Sequence, residues 1–144
     1  MSGNSDLFLG TGLSQIETVK HLVADIKPAL EYITYNIKRY KTPVSLVLFY
    51  TEDDISESIR ETMRLTDVLV DIKIGEAYFN FVLLPFTESI DSYGFIKHEE
   101  HKKLGHIEHY YYFERLEPQI HNYFNFINSF LFKILEKKEA ASRF

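Results

Sequence analysis

Apolar residues recur at three- and four-residue spacing from Ile16 through Val19, Val23, Ile26, Leu30, Ile33 and Ile37, drawing one hydrophobic stripe along a long helix that ends near Tyr40. Ser14, with Glu17 three residues on, supplies a capping box at its start. Pro28 falls inside the stripe. Because proline has no amide donor and clashes with the preceding turn, the pattern predicts a kink, or two helices meeting near Lys27. After the breaker Lys41-Thr42-Pro43, the nearly continuous apolar run Val44–Tyr50 has the character of a strand buried on both faces. Ile55, Ile59 and Met63 mark a short amphipathic helix ending near Arg64, with Thr51 and Asp54 as its start signal.

A hairpin is the clearest local signal. Val68, Val70, Ile72 and Ile74 alternate with Leu69, Asp71 and Lys73, Gly75-Glu76 supplies a two-residue turn, and Tyr78–Leu84 returns before Pro85. Glu88–Gly105 is polar and predicts a short, partly exposed helix. Ile107–Leu116 reads as a fourth strand closed by Glu117-Pro118, and Ile120, Phe124, Ile127, Leu131 and Ile134 place a wide apolar face on a helix over 119–138. Residues 1–11 read as a loose lead-in and 139–144 as a frayed tail. The segment from Val44 to Leu116 is therefore βαββαβ: an α+β, ferredoxin-like fold with helices on one face of a mostly antiparallel sheet, an N-terminal helix and a long C-terminal helix.

Composition narrows the function. A chain of 144 residues is one ordinary domain, read here as spanning 1–144. Its net charge of −5 gives no basic surface for a phosphate backbone, so no nucleic-acid partner is expected. The absence of cysteine excludes disulfides, thiolate nucleophiles and Cys-ligated zinc. The first residues lack a basic n-region and no apolar stretch approaches a spanning helix, which predicts a cytoplasmic protein without a membrane partner. Ten Tyr and twelve Phe predict a core built on rings.

Four segments resemble the GGDEF (diguanylate cyclase) domains, whose core is an elaborated βαββαβ. Asp6-Leu-Phe-Leu-Gly-Thr-Gly-Leu13 is similar to the family's opening motif, with a shifted glycine, and Arg39–Phe49 is similar to the segment entering its first strand. Arg64-Leu-Thr-Asp67 fits the R-x-x-D before the signature hairpin, and Phe81–Thr87 fits the strand after it. The resemblance touches most of residues 6–87 and fades afterwards. The family holds two metal ions with an aspartate at the end of the first strand and an acidic hairpin residue, because hard dications need oxygen ligands. Here Tyr50 stands at the aspartate position, and the hairpin reads Ile74-Gly-Glu-Ala-Tyr-Phe79 where the family has Gly-Gly-Asp-Glu-Phe. The helix carrying the family's guanine-reading residues is missing from the short stretch before the hairpin. The resemblance thus implies a degenerate, non-enzymatic domain of bacterial signalling with no cofactor.

The remaining candidates are few. In the family an R-x-x-D binds cyclic di-GMP, which makes Arg64 and Asp67 the candidate ligand residues; the same spacing also makes a simple ion pair. Glu52, Asp53, Asp54 and Glu76 are carboxylates that a rearranged metal site would use, although acids at a helix start equally complement its dipole. His98, His101, His106 and His109 cluster without the H-E-x-x-H spacing of zincins. Strand aromatics at Tyr78, Phe79, Phe81 and Tyr110–Phe113 lack the basic residues of an RNA-binding sheet, and tyrosines on an open sheet face, or surplus apolar positions on Phe124–Leu135, would instead serve a protein interface. The expected function is a non-catalytic interaction domain that binds a protein partner or a second copy of itself. A cyclic di-GMP receptor using Arg64 and Asp67 is the first alternative and a divergent nucleotide cyclase the second.

Overall fold

The computed structural model describes residues 7–142; Asp6 of the opening motif, the rest of residues 1–6 and residues 143–144 lie outside that range. Helix α1 spans Gln15–Tyr40 with Pro28 inside it. It is one helix rather than two meeting near Lys27, and Val19, Leu22, Ile26, Leu30, Ile33 and Ile37 bury one face on both sides of the proline. Ser14 caps its start by accepting from the Glu17 amide at 3.2 Å. Lys41, at φ 55, closes its end by donating its amide to Ile37.

Strand β1 (Val44–Thr51) is buried along its whole length, as its apolar run demands. Helix α2 (Ser56–Thr62), hairpin strands β2 (Val68–Ile74) and β3 (Ala77–Pro85), helix α3 (Ser89–Glu100) and strand β4 (His109–Arg115) complete the βαββαβ order. The sheet runs β2-β3-β1-β4 with every neighbouring pair antiparallel, which is the ferredoxin-like arrangement. Helix α4 (Tyr123–Ser142) starts after Asn122, whose side chain accepts from the Asn125 amide at 2.9 Å, and it continues through residues 139–142 rather than fraying there.

Both faces of the sheet are covered: the two helices of the βαββαβ core share one face, as expected, and α1 and α4 cover the other. Helices α2 and α3, with Ile55 just before α2, bury Ile55, Ile59 and Ile96 against Val47, Phe49, Val82 and Leu84. On the opposite face, α1 and α4 bury Leu22, Ile26, Ile127, Phe130 and Ile134 against Leu46, Leu48, Phe79 and Phe81. Phe79 and Phe81 of β3 are thus core, and Tyr112 of β4 meets Phe130 edge-on at 4.9 Å. On α4, Ile127, Phe130, Leu131 and Ile134 are spent on the core, while Phe132 stays exposed. Among the described residues no helix is long and apolar enough to cross a membrane.

The segment before α1 is not a loose lead-in where it is described. Phe8 is buried between Tyr50 and Phe79, with ring centroids 6.3 and 6.2 Å away, and a 3-10 turn follows at Leu9–Thr11. Glu76 of the hairpin turn donates its amide to the Gly10 carbonyl at 2.8 Å. A Cβ on Gly75, whose φ is +59, would come within 2.5 Å of the Thr11 carbonyl, so this turn accepts only glycine.

Candidate functional site

The carboxyl end of β1 delivers Tyr50 to a cleft of about 470 Å³ lined by Gly10, Glu52, Asp53, Glu108, Tyr110 and Lys138, with Leu9 at its edge. The Tyr50 hydroxyl accepts from the Gly10 amide at 3.1 Å and donates to Glu52 Oε2 at 3.3 Å. Burial pushes the phenol up to about 12; donation from Gly10 opposes the shift and the Glu52 charge adds to it. Tyr50 is therefore a neutral phenol that joins the 3-10 turn to the strand end. On the far wall, Glu108 accepts from Lys138 Nζ at 2.7 Å and from the Tyr110 hydroxyl. The Lys138 and Tyr110 hydrogen bonds hold its carboxyl below the usual range.

The four candidate metal-binding carboxylates do not converge. Glu52 and Asp53 line this cleft, whereas Asp54 accepts from the Ser56 amide at 3.0 Å and the Ser56 hydroxyl at 2.8 Å at the start of α2. These bonds lower the Asp54 pKa. Asp54 lines a separate cleft of about 490 Å³ with Glu57, Glu61, Lys102 and Lys103. Glu76 sits in the hairpin turn, tied by its backbone. Among the described residues no three His, Asp or Glu side chains come together to hold a metal ion.

Arg64 and Asp67 meet in the loop between α2 and β2. Asp67 Oδ2 accepts from the Arg64 amide at 2.8 Å, and its Oδ1 accepts from Arg64 Nε at 3.1 Å. Arg64 Nη2 shares its two hydrogens among Asp67 Oδ1 at 2.9 Å, the Pro85 carbonyl at 2.7 Å and Thr87 Oγ1 at 2.8 Å. The Asp67 side chain is 1% exposed and the Arg64 side chain 51%. The pair clamps the loop to the end of β3, and both residues line a shallow cleft of about 220 Å³ together with Asp91 and Phe95.

The histidines do not form one site. His109 Nε2 lies 2.6 Å from Glu100 Oε2 and its Nδ1 lies 3.0 Å from the Ile107 carbonyl, which ties the start of β4 to the end of α3. Two buried polar residues escaped the sequence reading. Glu99, fully buried, accepts from Ser58 Oγ at 3.0 Å and from Thr62, with Lys102 Nζ at 3.7 Å, and this network joins α3 to α2. Asn80, also fully buried, has no partner for either side-chain polar atom among the described residues. Glu99 carried a sequence signal in its polar helix; Asn80, between Phe79 and Phe81, carried only a break in an apolar run.

No family model matches the chain, and no curated protein matches it. Among solved structures, the chain is similar to "PelD 158-CT from Pseudomonas aeruginosa PAO1", with a TM-score of 0.45 and 18% identity over 62% of this chain. The match spans 38% of that chain's length.

Proposed function

We propose that this chain is a non-catalytic GGDEF-like domain that works by binding a protein partner or a second copy of itself. The observation that carries the reading is the Tyr50 hydroxyl, held between the Gly10 amide and Glu52 where the resembling family needs a metal-binding carboxylate. A phenol kept protonated to about pH 12 is a poor ligand for a hard dication. The separation of Glu52 and Asp53 from Asp54 and Glu76 also weighs against a rearranged metal site. The test is incubation of the purified protein with GTP and magnesium or manganese, followed by chromatography of the nucleotides. Unchanged GTP is expected; conversion to a cyclic dinucleotide would overturn the reading in favour of a divergent cyclase.

One observation favours a second reading, a cyclic di-GMP receptor. The Arg64 side chain is half exposed beside Phe95, so it could stack on guanine or pair with a phosphate, while Asp67 stays committed to the clamp. Calorimetric titration with cyclic di-GMP beside Arg64→Ala separates the two readings. Micromolar heat lost in the variant makes the protein a receptor, and no heat in either leaves the interaction domain.

A further inference from the structure

A four-stranded sheet in the order β2-β3-β1-β4 has two edges, and this protein treats them differently. At the β4 edge, Lys137 of α4 donates to the Tyr111 carbonyl and stands 4.0 Å over the Tyr111 ring. That ammonium occupies an acceptor another strand would need. At the β2 edge, among the described residues, no backbone segment outside the hairpin is hydrogen-bonded to the strand.

The hairpin geometry says which groups that edge offers. Ile74 and Ala77 flank a two-residue turn and face each other, as do Ile72 and Phe79, and Val70 and Phe81. In a two-residue hairpin these are the hydrogen-bonded pairs, so the amides and carbonyls of Leu69, Asp71 and Lys73 point away from the sheet. Ile72 is buried against the core, while the Asp71 and Lys73 side chains alternate with it and are exposed.

We infer that β2 is a self-pairing edge, joining two copies of this chain antiparallel about Ile72 so that Asp71 of each copy faces the partner's Lys73. Only registers that set outward-pointing residues opposite one another can form the ladder, which puts the dyad on a residue; centring on Lys73 sets two ammonium groups face to face, and centring on Leu69 carries Asp71 past the end of the partner strand. Centring on Asp71 sets two carboxylates face to face, and centring on Val70 sets Asp71 against an apolar Leu69. Centring on Ile72 makes two Asp71–Lys73 pairs related by the dyad and continues one antiparallel sheet across both copies. An edge protected by charge alone would carry one sign and repel itself in every register; opposite signs two residues apart attract in this one. The inference rests on the reading of a binding domain and names the surface through which it binds itself. A single pair of short strands buries little area, so the dimer is a weak one that forms at high concentration.

Analytical ultracentrifugation of the full chain, from micromolar to millimolar concentration, measures it. The wild type is expected to move toward twice its 17.0 kDa mass. Asp71→Lys and Lys73→Asp, each placing like charges opposite one another, are expected to weaken association about tenfold, and the swap Asp71→Lys/Lys73→Asp to restore it to within about threefold. Circular dichroism melts of all four proteins show that each is folded. A wild type that stays monomeric at millimolar concentration overturns the inference. So does a dimer indifferent to the single reversals, or one the folded double variant fails to restore. These outcomes leave the non-catalytic reading untouched, because that reading fails only on GTP turnover.

Discussion

The backbone amide of Gly10 donates to the Tyr50 hydroxyl across 3.1 Å, joining a turn before the first helix to the end of the first strand forty residues later. Phe8 closes the same junction from below, stacked on Phe79 and edge-on to Tyr50. Phe8 thereby becomes part of the core, and the end of β1 becomes a structural joint.

Tyr50→Phe removes that hydroxyl and leaves the ring in place. The Gly10 amide loses its acceptor, and the expected cost is about 1 kcal/mol, a typical net value for one partly buried hydrogen bond. Urea unfolding monitored by circular dichroism checks it. A variant as stable as the wild type would show that water replaces the phenol at no cost.

Alkaline titration gives a second measure of the same joint. Burial raises both Tyr50 and Tyr112 to about 12, the Glu52 and Glu114 carboxylates adding to it. A pKa raised in the folded state means that the folded protein binds the proton more tightly. The stabilisation is complete below the ordinary tyrosine pKa of about 10 and is lost as pH rises through about 12. Phenolate absorbance is therefore expected to show a late-titrating fraction, diminished in Tyr50→Phe, with stability falling over the same interval. Uniform ionisation of every tyrosine near pH 10 in the folded protein would contradict this.

Asp67→Ala strips the acceptor from the Arg64 amide, Nε and Nη2 in one step. A loss of about 2 kcal/mol is expected, because the carboxylate is buried and charge-assisted bonds exceed neutral ones. Arg64→Ala leaves that carboxylate with the Arg64-position amide as its remaining donor among these contacts. The double variant should cost less than the sum of the two singles by about 1–2 kcal/mol. Additive effects in the denaturation midpoints would show that the clamp is not a coupled pair.

Asn80→Leu exchanges an unpartnered buried amide for an apolar side chain of similar size beneath α2 and α3. The desolvation penalty of the amide disappears, and a gain of about 1–2 kcal/mol is expected from thermal or chemical unfolding. Destabilisation would mean that the amide is satisfied in solution, by water held under the helices.

The order of elements was legible in the chain because alternation and helical spacing record which positions meet solvent, and that partition is local. The nearly continuous apolar run at β1, the Gly75-Glu76 turn and the Ser14 cap all led to the elements found there. What lies on each side of a strand is not local. The sequence could not show that α1 and α4 close the second face, because an apolar stripe states that it is covered and not by what. The same limit applies to the site. Arg64 and Asp67 read identically as a ligand pair or as a clamp until Pro85 and Thr87, some twenty residues away, were brought within reach of the guanidinium. Glu52, Asp53 and Asp54 are adjacent in the chain, yet hydrogen bonds to Ser56 turn Asp54 toward a different cleft from its neighbours. Phe8 and Gly10 were read as lead-in because their partners, Tyr50, Phe79 and Glu76, lie at least forty residues further along the chain. Local propensity fixes the helices and strands; only the packing of distant segments decides which carboxylates meet and which are held apart.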